Sequence, residues 1–399
     1  MTTRARLRPF RRYVALLLLA VAGLLLPIAA LNFIVDPLGQ FGVVKIAKLD
    51  GHRPNVDTRT YKAEGLGRGE WDVAILGDSV AEIGFDPLSP EWKGARVFNA
   101  ALPGANMYEL RRAVDAIAAR GNVKRILLIA NTGEWNEIYT TRHDFDKSRF
   151  NPNLSIPDHW LEGLLGLRAT ESSIEAIQAV RHKEPILFTP LGRRLTVSIG
   201  KALKGHRWMF DDRAKLSLRA PKQTPILAES RLPIFRELLD TCRSHNIELT
   251  VVIPPTHAFA LEIFFLLDRF TAYENLKRGI ARTMAEEAAA NPGKSPFPLW
   301  DFSGYNELTM EPIPTDSAPK AKMKWFWEQD HIKKELGEMV LRRIHGASEP
   351  ADFGALVTPQ KLEEHLATIR QGRAEYLRRH PEEIAHLEQL YGSLNAAKP

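Results

Sequence analysis

The hydrophobic residues form one long segment near the N-terminus and then short runs that alternate with helical periodicities. Residues 13–35 contain no charged side chain, and such a stretch is long enough to span a bilayer as a helix. The arginines that precede it are Arg4, Arg6, Arg8, Arg11 and Arg12. Because positive charge is retained on the cytoplasmic side, we predict a basic cytoplasmic tail over residues 1–12 and a single-pass transmembrane signal anchor over residues 13–35.

A cleaved signal peptide is the alternative for this segment, because Ile28-Ala29-Ala30 has the small residues of a cleavage site. We favour the uncleaved anchor, since the apolar stretch continues through Leu31, Phe33 and Ile34. In both cases the rest of the chain is exported. We therefore expect the C-terminal body on the extracytoplasmic, periplasmic side of the cytoplasmic membrane.

Short apolar runs after the anchor alternate with amphipathic helical patterns. Strands are predicted over residues 73–76, 96–98, 126–130 and 249–253, and helices over residues 107–120, 232–244 and 273–290. Strands that are apolar on both faces and separated by helices indicate a mostly parallel sheet covered on both sides. The predicted fold class is therefore α/β, a three-layer α/β/α sandwich.

Segments outside this alternation set the predicted domain boundaries. Residues 36–70 are rich in Gly and Pro turns and are predicted to be a connector on the surface of the body. The α/β domain is assigned to residues 71–350, with an insertion over residues 139–224 that is expected to cover the C-terminal edge of the sheet. Residues 351–399 are predicted to form a solvated helical extension packed on the body, in preference to a partner-binding helix.

The net charge of +6 does not indicate a nucleic-acid-binding protein. Five of the positive charges belong to the N-terminal arginines, so residues 13–399 carry a net charge of only +1. We expect no nucleic acid partner. Cys242 is the only cysteine, which excludes an intrachain disulfide, and its helical spacing from Leu238 and Leu239 places it in the apolar core.

The turn Leu76-Gly77-Asp78-Ser79-Val80 places a serine hydroxyl at the end of the first predicted strand. A serine hydroxyl is a weak nucleophile unless a base lies within hydrogen-bond reach and a third group orients that base. His331 lies just ahead of an amphipathic helix and three residues after Glu328. Ser79, His331 and Glu328 are therefore the candidate catalytic residues.

Four blocks of the sequence together resemble the SGNH/GDSL hydrolase superfamily. They are Gly77-Asp78-Ser79 after a strand, Gly104 in Asn99-Ala100-Ala101-Leu102-Pro103-Gly104, an Asn after the third strand, and the acidic-x-x-His element that ends at His331. The resemblance covers residues 72–136 and 299–344, with weaker similarity between them. It implies an SGNH-hydrolase, flavodoxin-like fold in which Ser79 is the nucleophile and the backbone N–H groups of Ser79 and Gly104 stabilise the oxyanion.

The chain departs from the family pattern at the third oxyanion donor. The family has an Asn in a Gly-x-Asn-Asp motif, whereas this strand is followed by Asn131-Thr132-Gly133-Glu134-Trp135-Asn136. Asn131 fits the oxyanion-hole role by position, and Asn136 competes with it. Either side chain is equally well explained as a turn residue bonded to its own backbone.

The second departure lies at the base, where the family has Asp-x-x-His and this chain has Glu328. A glutamate is one methylene longer but is still able to orient an imidazole. Asp330 is adjacent to His331 and is expected to point away from it. Asp301 is a further candidate for orienting the ring, although a turn or cap role after a strand is favoured.

Other polar residues near the predicted sheet edge do not indicate a metal or a cofactor. His257 follows a predicted strand, but no second histidine or carboxylate lies at metal-ligand spacing from it. We expect His257 to line the pocket or cap a helix. We expect no bound metal and no cofactor.

The resemblance and the predicted topology imply a membrane-anchored serine esterase or O-acyltransferase that acts on acyl esters of envelope or exopolysaccharide glycans. Alginate and peptidoglycan O-acetylation proteins have a similar architecture, and one triad serves both hydrolysis and transfer. The implied partners are the cytoplasmic membrane, a glycan or acyl-ester substrate and a membrane acyltransferase. The alternative is a non-catalytic envelope protein that kept the fold and binds a glycan or a membrane partner.

Overall fold

A sheet forms the centre of the body in the computed structural model, which describes residues 3–52, 57–138, 140–195, 204–219, 229–315, 321–348 and 350–396. Its strands are β1 (Val73–Leu76), β2 (Val97–Asn99), β3 (Arg125–Ile129), β4 (Glu248–Ile253), β5 (Leu299–Asp301) and β6 (Ala355–Val357). They are ordered β2-β1-β3-β4-β5-β6. The neighbouring strands are parallel except β5 and β6, which pair antiparallel.

Helices precede the sheet, lie in the connections between its strands and follow β6. In the N-terminal half they are α1 (Thr3–Val35), α2 (Ala47–Asp50), α3 (Thr58–Arg68), α4 (Ser79–Gly84), α5 (Met107–Arg120), α6 (Ile156–Leu165) and α7 (Leu167–Arg181). In the C-terminal half they are α8 (His206–Arg219), α9 (Leu232–Ser244), α10 (Ala258–Leu266), α11 (Phe270–Ala290), α12 (Lys334–Ile344), α13 (Leu362–Arg379) and α14 (Pro381–Ala396).

Alternate residues of the strands enter two different hydrophobic cores. On β1, Ala74 and Leu76 belong to one core, and Val73 and Ile75 belong to the other, because successive strand side chains point to opposite faces of a sheet. Helices α3, α5, α9, α11 and α13 contribute to the first core, and α4, α8, α12 and α14 contribute to the second. The predicted three-layer α/β/α fold is confirmed.

The segment 36–70 differs from the predicted surface connector. Its helix α3 is largely buried and carries charged residues into the interior. Arg59 Nη2 lies 2.9 Å from Glu109 Oε2, and Lys62 Nζ lies 3.1 Å from Glu82 Oε1. Because removing one partner of such a pair leaves an uncompensated buried charge, α3 is an integral part of the body.

The C-terminal extension differs from the predicted helical segment, because it also contributes a strand to the sheet. It begins with β6, which adds an antiparallel strand to the edge of the sheet, and its helical part is two helices that are separated at Pro381. His365 of α13 places Nε2 2.9 Å from Asp301 Oδ2 at the end of β5. Within this extension, β6 therefore completes the edge of the sheet and α13 bonds to the end of β5.

The N-terminal helix stands apart in composition from the helices of the body. From Phe10 to Val35 it is long and apolar enough to cross a membrane. This is the composition of either a membrane anchor or a signal sequence. The last turns of α1 pack against α6 and α7.

Candidate active site

Gly77 and Asp78 shape the turn that follows β1. Gly77 has a φ of +143°, and a Cβ at this position would lie 2.6 Å from the carbonyl oxygen of Ile129, so glycine is needed for the backbone to pass β3 this closely. Asp78 caps α4, because its Oδ1 accepts the backbone N–H of Val80 at 2.8 Å. The turn places Ser79 at the first residue of α4.

Ser79 lies at the carboxyl end of β1, where the strand order of the sheet changes direction. β1 has β2 on one side and β3 on the other, and ligands in open α/β sheets bind at the carboxyl ends of the strands beside such a switch point. Gly104 follows β2 and Asn131 follows β3. The topology therefore explains why residues far apart in the sequence reach one edge of the sheet.

Ser79, His331 and Glu328 form a continuous chain of contacts. Ser79 Oγ lies 2.7 Å from His331 Nε2, and His331 Nδ1 is in hydrogen-bond contact with Glu328 Oε1. Glu328 also accepts the backbone N–H groups of Asp330 and His331, at 3.1 and 3.2 Å. This tight turn fixes the carboxylate and leaves Nε2 of the imidazole facing the serine.

The opposite charges of Glu328 and His331 shift both pKa values toward the ionised forms, against the effect of burial. Burial alone raises the pKa of Glu328, but the neighbouring imidazole lowers this pKa to about 2. Burial alone lowers the pKa of His331, but the Glu328 carboxylate raises it above its ordinary value of 6.5. The pair thus favours an imidazolium, which is the form that a general base adopts after it takes a proton.

The other two carboxylates that were candidates for orienting His331 have different partners. Asp330 Oδ2 lies 2.7 Å from Arg213 Nε. Asp301 is almost fully buried, and its Oδ2 lies 2.8 Å from Lys277 Nζ and 2.9 Å from His365 Nε2. The carboxylate in contact with His331 is therefore that of Glu328.

The two asparagines proposed from the sequence both line the cleft that contains Ser79. Asn131 Nδ2 donates to Asp78 Oδ2 at 2.9 Å, which fixes the amide beside the serine turn and leaves its second hydrogen for a ligand. Asn136 Oδ1 accepts the backbone N–H of Ile138 at 3.0 Å, the usual bond of a turn residue. Asn131 is therefore held beside the turn that carries Ser79, whereas Asn136 has the contact of a turn residue.

Gly104 also lines the cleft, and its surroundings reveal a residue that the sequence did not indicate. Its φ is +60°, and a Cβ at this position would lie 2.6 Å from Nη2 of Arg142. Glycine therefore lets the Arg142 guanidinium pass directly over this turn. No periodicity or motif in the sequence indicates Arg142, because it lies in the aperiodic insertion.

Two buried carboxyl groups lie next to the Asn131 turn. Burial raises the pKa of Asp78, against the opposing effect of its hydrogen bond from Asn131. Burial also raises the pKa of Glu134 well above its ordinary value, and the nearby Asp78 adds to this shift. A lone glutamate in a polar turn is ordinarily solvated, so the sequence carries no signal for the burial of Glu134.

The cleft around Ser79 has a volume of about 380 Å³, is open to solvent and is lined by cationic and apolar side chains. The cationic residues that line it are Arg142, Arg213 and Arg269. The large apolar residues that line it are Leu216, Ile263, Phe264 and Leu267. Such a cleft suits a ligand that has both an anionic and an apolar part.

Two described parts of the predicted insertion contribute to the cleft. Arg142 and helix α8 line the cleft, whereas α6 and α7 pack against α1. The ends assigned to the insertion, Tyr139 and Thr224, lie outside the described residues.

His257 has the helix-capping role, one of the two expected from the sequence. Its Nδ1 accepts the backbone N–H of Phe259 at 3.2 Å, and its Nε2 donates to the carbonyl oxygen of Glu311 at 2.8 Å. Burial lowers the pKa of His257 to about 4. It is therefore a neutral structural histidine, and it is not among the described residues that line the cleft.

Comparison with protein-family models and with curated proteins gives no match. Among solved structures, the chain is similar to one titled "The structure of a putative platelet activating factor from Streptococcus pneumonia". The sequence identity is 12%, the TM-score is 0.34, and the match covers 72% of this chain and 88% of that chain. A similarity of this size carries no argument about function, so the function is inferred from the geometry of the cleft.

Proposed function

We propose that the protein is a membrane-anchored serine esterase or O-acyltransferase of the SGNH type that acts on acyl esters of envelope or exopolysaccharide glycans. The observation that carries this proposal is the contact chain from Ser79 Oγ to His331 Nε2 and from His331 Nδ1 to Glu328 Oε1. It lies in an open cleft beside Gly104 and Asn131. Nucleophile, base, orienting carboxylate and oxyanion donors are the parts that acyl transfer requires.

In the proposed reaction, Ser79 Oγ attacks the ester carbonyl carbon and its proton moves to His331 Nε2. The Ser79 and Gly104 N–H groups and the Asn131 amide stabilise the oxyanion, and each such donor contributes about 3 to 4 kcal/mol. His331 then protonates the leaving alcohol, and an acyl-serine remains. Water resolves it in hydrolysis, and a sugar hydroxyl resolves it in transfer.

The proposal is tested by treating the full-length protein with a fluorophosphonate probe. Ser79 Oγ is expected to displace fluoride and form a stable phosphonyl ester, because His331 removes its proton. Peptide mapping by mass spectrometry should place the probe on Ser79. An unmodified protein would support the alternative, a non-catalytic envelope protein that binds a glycan.

The cationic residues of the cleft support a substrate with an anionic group near the scissile ester. Arg142 is the most informative of them, since its guanidinium lies over Gly104, the proposed oxyanion donor. Its position is secured from the backbone, because the Arg142 N–H donates to Glu109 Oε1 at 3.1 Å. We propose that Arg142 binds a carboxylate or other anion of the glycan.

Replacing Arg142 with alanine should therefore lower kcat/KM selectively. A charge-assisted hydrogen bond contributes about 1.5 to 3 kcal/mol, so a loss of about 10- to 100-fold is expected on an acetylated uronide, and little loss on an acetylated neutral sugar. Arg142→Lys should retain part of the preference. Arg120, exposed at the end of α5, is the control. Arg120→Ala should leave kcat/KM unchanged on both the acetylated uronide and the acetylated neutral sugar. Equal losses on both substrates after Arg142→Ala would contradict anion binding.

The proposed location predicts a retained N-terminal helix and an external body. A phosphatase reporter fused after Asp36 should be active outside the cytoplasm, because the arginines hold the N-terminus inside. The intact mass of the membrane-extracted protein should include residues 1–30. A mass that corresponds to cleavage after Ala30 would identify the segment as a signal peptide.

A further inference from the structure

The C-terminal end of α1 is bonded into the pair of helices α6 and α7, here called the anchor hairpin (residues 156–181). Asn32 is fully buried and donates from Nδ2 to the carbonyl oxygen of Leu164 and to Thr170 Oγ1, both at 2.9 Å. It also accepts a hydrogen bond from Ser173 Oγ at 2.8 Å. Because a buried amide with all these bonds permits one arrangement, α1 and the anchor hairpin move as one unit.

Large apolar side chains of the anchor hairpin are exposed. They are Ile156, Trp160, Leu161, Leu167, Ile174 and Ile177. On α7, the spacing of Leu167, Ile174 and Ile177 puts three of them on one helical face, and Leu167 is 75% exposed. Apolar patches of this kind on a folded domain mark a contact with a membrane or another molecule.

The position of Asn32 along α1 gives the depth of the anchor hairpin in a bilayer. Arg11 and Arg12 end the charged tail, so the apolar span begins near Tyr13. At 1.5 Å per residue, the helix rises about 30 Å between Tyr13 and Asn32, which equals the hydrocarbon thickness of a bilayer. In a bilayer that α1 spans, Asn32 and the hairpin bonded to it would therefore lie at the outer boundary of the hydrocarbon.

We propose that the exposed apolar face of the anchor hairpin lies in the outer headgroup region of the same bilayer that α1 spans. This proposal rests on the proposed retention of α1 as an anchor. Trp160 has the amphipathic ring that favours this depth, and its ring packs on Phe41, 5.6 Å between centroids, just after α1. Glu171 and Glu175 are exposed on α7, which suits the headgroup region and excludes deeper insertion.

A bilayer contact of this kind would hold the body at a fixed height and orientation. α6 is joined to the body through His159, whose Nε2 lies 2.9 Å from Glu64 Oε1 on α3. α3 is in turn buried against the sheet. The cleft would therefore be presented to a membrane-associated glycan from a rigid support, instead of moving on a flexible stalk.

The test uses nitroxide labels on the full-length protein in vesicles of phosphatidylethanolamine and phosphatidylglycerol. Labels are placed by Leu161→Cys and Ile174→Cys on the anchor hairpin, by Leu18→Cys within α1, and by Leu356→Cys on β6 as the water-exposed control. Cys242 is buried, and burial raises the pKa of its thiol to about 12, so it stays unlabelled. The measurement is the accessibility of each label to oxygen, which partitions into lipid, and to a water-soluble nickel chelate.

At Leu161 and Ile174 the ratio of oxygen to nickel accessibility is expected to lie between the high ratio at Leu18 and the low ratio at Leu356. A ratio equal to that at Leu356 would overturn the proposal. Immobilised labels with spin–spin broadening would overturn it in favour of a second copy of the chain on this face. A low ratio at Leu18 would show that α1 is not in the bilayer, which separates failure of the anchor from failure of the hairpin contact.

Discussion

Replacing Ser79 with alanine is expected to abolish ester turnover and fluorophosphonate labelling while the protein stays folded. Without the hydroxyl no acyl-enzyme forms, and loss of a nucleophile of this kind costs about 10⁶-fold in kcat. The change removes one hydrogen bond, to His331 at 2.7 Å, which contributes about 1 kcal/mol to stability. The thermal midpoint should therefore fall by a few degrees at most. The measurements are turnover of a small acetyl ester, gel labelling and a thermal melt.

Ser217 provides the matched control for this experiment. It lines the same cleft, but its Oγ donates to the carbonyl oxygen of Arg213 and contacts Gln329 instead of a histidine. The Ser217→Ala variant should still be labelled by the fluorophosphonate probe. Retention of turnover by Ser79→Ala would show that the nucleophile has been assigned wrongly, and loss of labelling in both variants would point to a general effect on the cleft.

The sequence predicted strands β1 to β4 and the contact between Glu328 and His331 because both depend on local patterns. Val73–Leu76 is apolar on both faces and is followed by a glycine that the turn requires, so strand and turn were evident together. The spacing of Glu328 and His331 is also local, since a carboxylate three residues away reaches Nδ1 within one turn. What brought Ser79 and His331 together was the order of the parallel strands, which the resemblance to a known fold supplied.

Features that depend on long-range packing could not be predicted from the pattern. The Gly and Pro turns of residues 36–70 indicated a surface connector, whereas helix α3 has a buried face that carries Arg59 and Lys62, residue types that are ordinarily exposed. Their acidic partners, Glu109 and Glu82, lie on other elements. Arg142 was missed for a similar reason, because only the fold places it over Gly104.

The carboxylate of Glu328 should set the pH dependence of kcat/KM. His331 acts as a base only when neutral, so activity should rise as pH increases through its pKa, which Glu328 raises above the ordinary 6.5. In Glu328→Gln the raising charge is lost and burial, which lowers the pKa, remains. The acid limb of the curve of kcat/KM against pH should therefore move to lower pH. At the same time the plateau should fall by about 10²- to 10⁴-fold, because the imidazolium of the transition state loses its counter-charge.

Asp301 supplies the contrast that identifies the role of Glu328. Asp301→Asn leaves Lys277 buried without its carboxylate partner, 2.8 Å away, and breaking such a pair costs about 3 to 5 kcal/mol of stability. It touches neither His331 nor the cleft, so the folded variant should keep the acid limb at the position of the parent protein. The free energy of unfolding should thus fall in Asp301→Asn, with no shift of the acid limb of the pH curve. In Glu328→Gln the acid limb itself should shift. If the acid limb of Glu328→Gln lies at the same pH as that of the parent protein, the group that titrates in the reaction is not His331 paired with Glu328.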